Sequence, residues 1–367
     1  MAEIEYYTWP DKIAGELSGK KHVVHGMWTP SGYFHIGNSR TELFIPGLVH
    51  KALLDKGLKS TQNLLVDDFD DFDKVPSGFD KDKFAEFLGK PLVNVPSPVS
   101  GYDSWSEYFK EDMASAIDKF DLSPNIISSY NAYKKGVYND AIKIVLDKAR
   151  SVRDVWVRIT KSEKPVDWLP IIIVCENCGK SATTVGTGWD GKKLKYACSN
   201  DRDYCKSCGY EGEVEPKDGK AKLPWRIHWS ACWYIYGTTF ESAGKDHFTK
   251  GGSVDTSRAF CKEIFGKEPP TQVPAEFIQL GKEKISGSRG NVITMHDWLN
   301  IAEPELLRFL MLSYQPNTVI DFDLKSNKLF LLADRYDRVE RIYFGEKIDD
   351  KKKESQAKRE YELSQIA

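Results

Sequence analysis

A short apolar run from His22 to Met27 has the length and content of a buried strand. Pro30, Ser31 and Gly32 break the pattern, and apolar positions resume at helical spacing from about His35 to Lys56, with Gly57 as a C-cap candidate. Ser60–Val66 is a second run of strand length. Strand, helix, strand predicts the opening of a parallel α/β sheet, whose ligands lie beyond the carboxyl ends of the strands. The polar stretch 1–21 reads as a helical lead-in. Helical spacing returns over Ser104–Phe120, Ala132–Ser151, Leu223–Tyr236 and Ile301–Phe344, and a Pro-, Ser- and Gly-rich loop over Pro91–Tyr102 is a candidate boundary. From Glu346 the chain is charged and poor in apolar residues, which predicts a frayed helix or disorder.

Candidate chemistry concentrates at the turn after the first strand, Trp28–Arg40 (WTPSGYFHIGNSR). A strand feeding a helix there leaves backbone N–H groups pointing outward, a seat for phosphate. His35 and Asn38 are three apart and share one face of the first helical turn, where donors suit negative charge building on a phosphate. Gly37 lacks the Cβ that would keep a flat ring or a backbone at a distance. Taken alone, these residues equally describe a capped helix with a surface histidine. Far along the chain, Gly281–Asn291 (GKEKISGSRGN) follows the apolar run Phe277–Leu280. Its Lys284, Ser286, Ser288 and Arg289 suit a loop that closes over a polyphosphate, or an ordinary solvated loop. At the end of the second strand, Asp67–Asp73 holds five Asp in seven positions. They suit a bound cation, either an ammonium group or Mg²⁺, or acids set against a helix dipole.

The seven cysteines cluster, which favours metal over disulfides. Cys175 and Cys178 form one CxxC, and Cys205 and Cys208 form another after 26 intervening residues. Two such pairs beside Gly179 and Gly209 predict zinc knuckles closing one tetrahedral, structural site. Cys198, in Lys195–Cys198, is the alternative third ligand in place of Cys205. Cys232 and Cys261 sit in apolar, helix-like contexts and read as buried. Trp225, Trp229 and Trp233, spaced by four, read first as core packing. Lys+Arg 52 against Asp+Glu 54 excludes a globally basic nucleic-acid binder, so any basic face is local. Lys134, Lys135, Lys143, Lys148, Arg150, Arg153 and Arg158 form such a sector, read as a solvated face or a local nucleic-acid contact. No apolar run is of membrane-spanning length, so no membrane partner and a cytoplasmic location are expected.

In this order, HIGN and KISGS resemble the HIGH and KMSKS motifs of class I aminoacyl-tRNA synthetases. The wider match, TPSGYFHIGNSR with AGKDH (Ala243–His247) and KISGSRGN, is most similar to class I lysyl-tRNA synthetase, from about Gly26 to the YELS at Tyr361–Ser364. The resemblance implies a Rossmann-like doubly wound parallel sheet with a zinc-binding insertion and C-terminal helices. The implied divisions are two catalytic halves at 1–92 and 225–300, an insertion at 93–224 with zinc near 170–215, a stem-contacting helical region at 301–345, and a charged tail at 346–367. It implies ATP with Mg²⁺ and structural zinc, activation of lysine or a relative, and transfer to the 2′-OH at the tRNA 3′ end through the acceptor stem. Catalysis falls to His35, Asn38 and Lys284. ATP binding adds Gly32, Gly37, Gly244, Asp246, Ser286 and Ser288. Amino-acid binding falls to Thr29, Asp67, Asp68, Trp225, Asp246 and His247, with Asp70 beside the two acids. A monomer is expected.

Two departures from the family bear on this. Its helical anticodon-binding domain has no counterpart here, which makes the chain an excised catalytic module or a natural short form. Met27 stands where a small residue is usual and Ala275 where an aromatic one is, so the amino-acid pocket is reshaped. The alternatives are a ligase that passes the adenylate to a non-tRNA acceptor, a nucleotidyltransferase of the same superfamily, and a non-catalytic tRNA-binding paralogue.

Overall fold

The computed structural model describes residues 7–120, 122–280, 283–284, 292–323 and 326–365, with Leu280, Glu283 and Lys284 by backbone alone. After helix α1 (Trp9–Glu16), five strands form the central sheet: β1 (Lys21–Trp28), β2 (Lys59–Val66), β3 (Asn125–Ser128), β4 (Phe240–Gly244) and β5 (Thr271–Ala275). Their order is β5-β4-β1-β2-β3, and every pairing is parallel. The chain builds outward from β1 in one direction and then returns to build on its other side. This doubly wound arrangement, as expected, leaves a crevice at the carboxyl ends of β1 and β4. Side chains alternate between the two faces: Leu64 and Val66 join one hydrophobic core and Leu65 the other.

Between β1 and β2 the chain forms α2 (Ile36–Ser39), a π-helical turn over Arg40–Phe44, and α3 (Ile45–Asp55). Gly26 lets the turn lie against the sheet, because a Cβ there would collide with the Glu42 carbonyl. Arg40 is 1% exposed and ties the turn to distant segments, donating to the carbonyls of Glu276 (2.8 Å), Gln315 (3.0 Å) and Thr318 (2.9 Å). Burial brings its guanidinium down only to about 10, so it stays charged at neutral pH.

Helix α4 (Trp105–Lys119) starts at Ser104, whose hydroxyl accepts from the Glu107 N–H, matching the periodicity. The helix expected over Ala132–Ser151 is broken into α5 (Ser129–Lys134), Asn139–Asp147 and Ala149–Thr160, with Gly136 at φ +80 turning the chain. The insertion carries a three-stranded antiparallel sheet (Thr184–Trp189, Leu194–Cys198, Glu211–Val214) and the pair Ile172–Ile173 with Ala221–Lys222. Helices α6 (Trp225–Tyr236) and α7 (Ser253–Glu263) flank β4 in the chain.

The helical stretch expected over Ile301–Phe344 holds, among the described residues, α8 (Pro304–Ser313) and α9 (Lys328–Tyr343) after a short helix at Met295–Leu299. Between them Ile320–Asp321 pairs in parallel with Ile278 and Gln279. The tail, expected as a frayed helix or disorder, is a docked helix, α10 (Lys351–Ser364). Its few apolar residues fall on one face, burying Ala357, Tyr361 and Leu363 in the core shared with β1 and α3. Arg359 anchors it to Asp11 of α1 and Asp55 of α3, both at 2.8 Å. Among the described residues no helix is long and apolar enough to cross a membrane.

Candidate active site at the sheet crevice

A cavity of about 530 Å³ opens at the crevice. It is walled by Met27–Thr29 at the end of β1, by Gly32, His35, Asn38 and Glu42, by Asp70, and by Trp225 and His247. Of the sequence-derived candidates, Thr29, Gly32, His35, Asn38, Trp225 and His247 therefore meet around one space. Gly244 ends β4, and Asp246 is exposed in the turn Lys245–Phe248 that follows; neither lines the cavity. The Lys284 backbone pairs with Gln279. The Lys284 side chain, Ser286, Ser288 and Arg289 lie outside the described residues.

His35 caps α2. Its Nδ1 accepts from the N–H groups of Gly37 (3.1 Å) and Asn38 (3.2 Å). The Ile36 N–H meets the Ile293 carbonyl and the Ser39 N–H meets the His35 carbonyl, each at 2.9 Å. This corrects the expectation of outward-pointing backbone donors: the first turn's N–H groups are spent within the protein, half of them on the imidazole itself. An Nδ1 that accepts leaves the ring proton on Nε2, so the histidine side chain is the donor. Gly37 supplies the room, since a Cβ there would sit 2.9 Å from Nδ1.

Asp67 and Asp68, expected to bind the substrate ammonium, are turned away from the cavity. Asp67 is 1% exposed and accepts from the Ser129 hydroxyl at 2.7 Å. Asp68 accepts from the Ser128 hydroxyl (2.5 Å) and the Tyr130 N–H (2.7 Å). Both meet the first residues of α5, Asp67 through the Ser129 hydroxyl and Asp68 through the Tyr130 N–H, a setting of acids against a helix dipole. Burial pushes Asp68 up to about 6. Burial acts on Asp67 in the same sense, but Lys222, His228 and Ser129 together hold it below the ordinary range. Asp70 is the acid of this run that faces the cavity.

Glu42 was missed, although it lies four residues from Asn38 on one helical face. Its carboxylate accepts from the Met27 N–H at 2.9 Å, and burial pushes it well above the usual range. Behind it, Glu241 accepts from the indole N–H groups of Trp229 (2.9 Å) and Trp233 (2.6 Å), and burial pushes it up to about 8. Trp229 and Trp233 are thus core residues, while Trp225 lines the cavity and the His247 ring stands edge-on to Trp229.

Glu241 should leave a signature in stability. Its folded carboxyl, raised from 4.5 to about 8, holds a proton that the unfolded chain has released. The folded state binds more protons in that window, so the contribution is complete below pH 4.5 and is lost as pH rises through about 8. Relative to Glu241→Gln, the native protein should lose up to about 1.4 kcal/mol of unfolding free energy per pH unit across it. Urea titrations of both proteins from pH 5 to 8 measure this, and a pH-independent difference contradicts it.

The sulfurs of Cys175, Cys178, Cys198 and Cys208 all lie within 4.8 Å of one another. The 3.7 Å between Cys175 and Cys208 and the 3.8 Å between Cys178 and Cys198 suit a tetrahedral ion. Zn–S bonds of about 2.3 Å place sulfurs about 3.8 Å apart. Cys205 is therefore replaced by Cys198 as the third member. The Cys205 backbone closes a turn with Arg202, and its side chain packs toward Gly89.

The family model described as tRNA synthetases class I (K) matches residues 7–367. The lysine–tRNA ligase of Methanocaldococcus jannaschii is 38% identical over 366 residues, covering 97% of this chain and 67% of that protein. Those of Pyrococcus horikoshii (35% over 368 residues; 97% and 68%) and Methanosphaera stadtmanae (34% over 363 residues; 98% and 66%) match similarly. The chain spans about two thirds of the length of these curated relatives. With the doubly wound sheet, the His35-capped turn and the cavity beside it, this match shows that the chain belongs to the class I tRNA synthetases of type K.

Proposed function

We propose that the chain activates lysine with Mg·ATP and transfers it to the 3′ end of tRNA. One observation carries the reading. The segment that follows Gly281–Asn291 returns to the first motif: Thr294 bridges His35, and the Ile293 carbonyl accepts from the Ile36 N–H. The chain that follows the second family motif thus meets the first motif beside one cavity, at the switch point of the sheet.

In this reading the amino-acid carboxylate attacks the α-phosphorus of ATP, a P–O bond forms, and pyrophosphate leaves. Nε2 of His35 and the Asn38 amide donate to the phosphate oxygens as charge builds there. Gly32 and Gly37 keep the approach open, Gly244 and Asp246 serve the ribose, and Lys284, Ser286 and Ser288 serve the outer phosphates. Thr29, Trp225 and His247 frame the amino acid. Half-buried Glu42 on the cavity wall suits a cation, which matches a lysine ammonium and the names of the relatives. Met27 on the wall gives this pocket its own shape, whereas Ala275 is buried in the core and is not among the residues that line it. Zinc at the four cysteines would hold the insertion together and take no part in the chemistry. The catalytic halves are 1–92 and 225–300, with the insertion between them.

The test is ATP–pyrophosphate exchange with each of the twenty amino acids, followed by charging of tRNA with the best. Lysine-dependent exchange is expected. Absence of exchange with every amino acid overturns the proposal.

A further inference from the structure

Asp70 is the only carboxylate of the Asp67–Asp73 run on the cavity wall, and it is held there from outside the catalytic sheet. The Lys222 ammonium donates to its Oδ1 at 3.0 Å and to the Phe69 carbonyl at 3.0 Å. The lysine side chain is 2% exposed and the aspartate 41%, so a buried cation stands behind a carboxylate that faces substrate space. Asp67 and Asp71 surround the same ammonium, so without it Asp70 would sit among like charges. Lys222 belongs to the insertion: Ala221–Lys222 pairs with Ile172–Ile173, which leads directly into Cys175. The next position of the acidic loop is tied to the insertion too, because the Ser181 hydroxyl donates to Asp71 and the Ser181 N–H to the Gly89 carbonyl.

We propose that Lys222 is a positioning residue for amino-acid binding: it aims Asp70 into the cavity, so that the cysteine-bearing insertion sets one wall of the amino-acid site. This deepens, and rests on, the activation reading. Asp70 would meet the positive end of the amino acid, and Lys222 would act only through it.

The test is steady-state pyrophosphate exchange with native protein, Lys222→Met, Asp70→Asn and the double variant. Lys222→Met should raise the amino-acid KM about tenfold or more, with the ATP KM within about twofold. In the Asp70→Asn background the same change should add less than about twofold, because both variants remove one interaction. An unchanged amino-acid KM, a full multiplication of the two effects, or a parallel loss in both KM values and kcat each overturns the proposal. Should Lys222→Met fail to fold with Asp67 left uncompensated, the same thresholds apply to Lys222→Met combined with Asp67→Asn, which removes a buried charge of each sign. Exchange by the native protein is the separate control. Its absence overturns activation itself, and with it any amino-acid role for Asp70.

Discussion

His35→Ala should lower the rate of pyrophosphate exchange by about 10²–10³, the cost of about 2.7–4 kcal/mol for removing one preorganised donor to a developing oxyanion. The geometry adds a second effect. The imidazole also accepts two backbone N–H groups of α2, so alanine removes a helix cap and should cost about 0.5–2 kcal/mol of stability. The two losses can be separated. Asparagine is a good N-cap residue and offers an oxygen to the same N–H groups. His35→Asn should therefore recover the unfolding midpoint of the native protein while exchange stays low. Calorimetry and exchange assays on the three proteins give both readings. Exchange near the native rate in His35→Ala would remove the histidine from the chemistry. Recovery of rate in step with stability would make its role that of a cap alone.

The elements that were legible in the sequence are those whose cause is local. The run ending at Met27 and the stretch Ser60–Val66 are strands whose carboxyl ends, 24–28 and 62–66, are buried on both faces, and the apolar residues there carry the signal. Ser104 and Gly57 punctuate their helices as side-chain chemistry dictates. What escaped depends on partners far along the chain. Gly26 is needed only because the Glu42 carbonyl lies against it, and Arg40 reads as a surface residue until Glu276 and Thr318 arrive to accept from it. The last helix looked too charged to order, yet Arg359 finds its carboxylates on Asp11 and Asp55, at the other end of the sequence.

The site divides in the same way. His35, Asn38 and Thr29 share the cavity because one short turn places all three. Within Asp67–Asp73, spacing alone could not say which carboxylate faces outward, since the chain leaves its strand there and period-two alternation ends. The answer came from α5, which recruits Asp68 to its N-terminus, and from Lys222, which fixes Asp70. Glu42 was hidden by looking like an ordinary acid on a helix surface. A π-helical turn packed on Gly26 instead sets it half-buried on the cavity wall.

Cys198→Ser should strip metal from the protein, and Cys205→Ser should leave it bound. Sequence spacing favours the opposite outcome, because Cys205 completes a second CxxC. The structure turns on where each sulfur points. Cys198 ends the Leu194–Cys198 strand, its carbonyl accepts from the Gly209 N–H at 2.9 Å, and its sulfur accepts from the Cys208 N–H at 3.4 Å. Cys205 is turned the other way, toward Gly89. Four sulfurs suit zinc or an iron–sulfur centre, and a colourless protein with stoichiometric zinc is expected. Burial pushes the Cys178 thiol up to about 12, so binding must expel protons, and the site should empty as the pH is lowered. Structural zinc in small domains contributes about 10–16 kcal/mol of apparent binding energy, so a lost ligand should loosen the whole insertion. Elemental analysis after dialysis against a chelator under reducing conditions reads the stoichiometry, and limited proteolysis across 170–215 reads the loosening. Equal metal loss in Cys198→Ser and Cys205→Ser, or no zinc in freshly prepared native protein, would refute this ligand set.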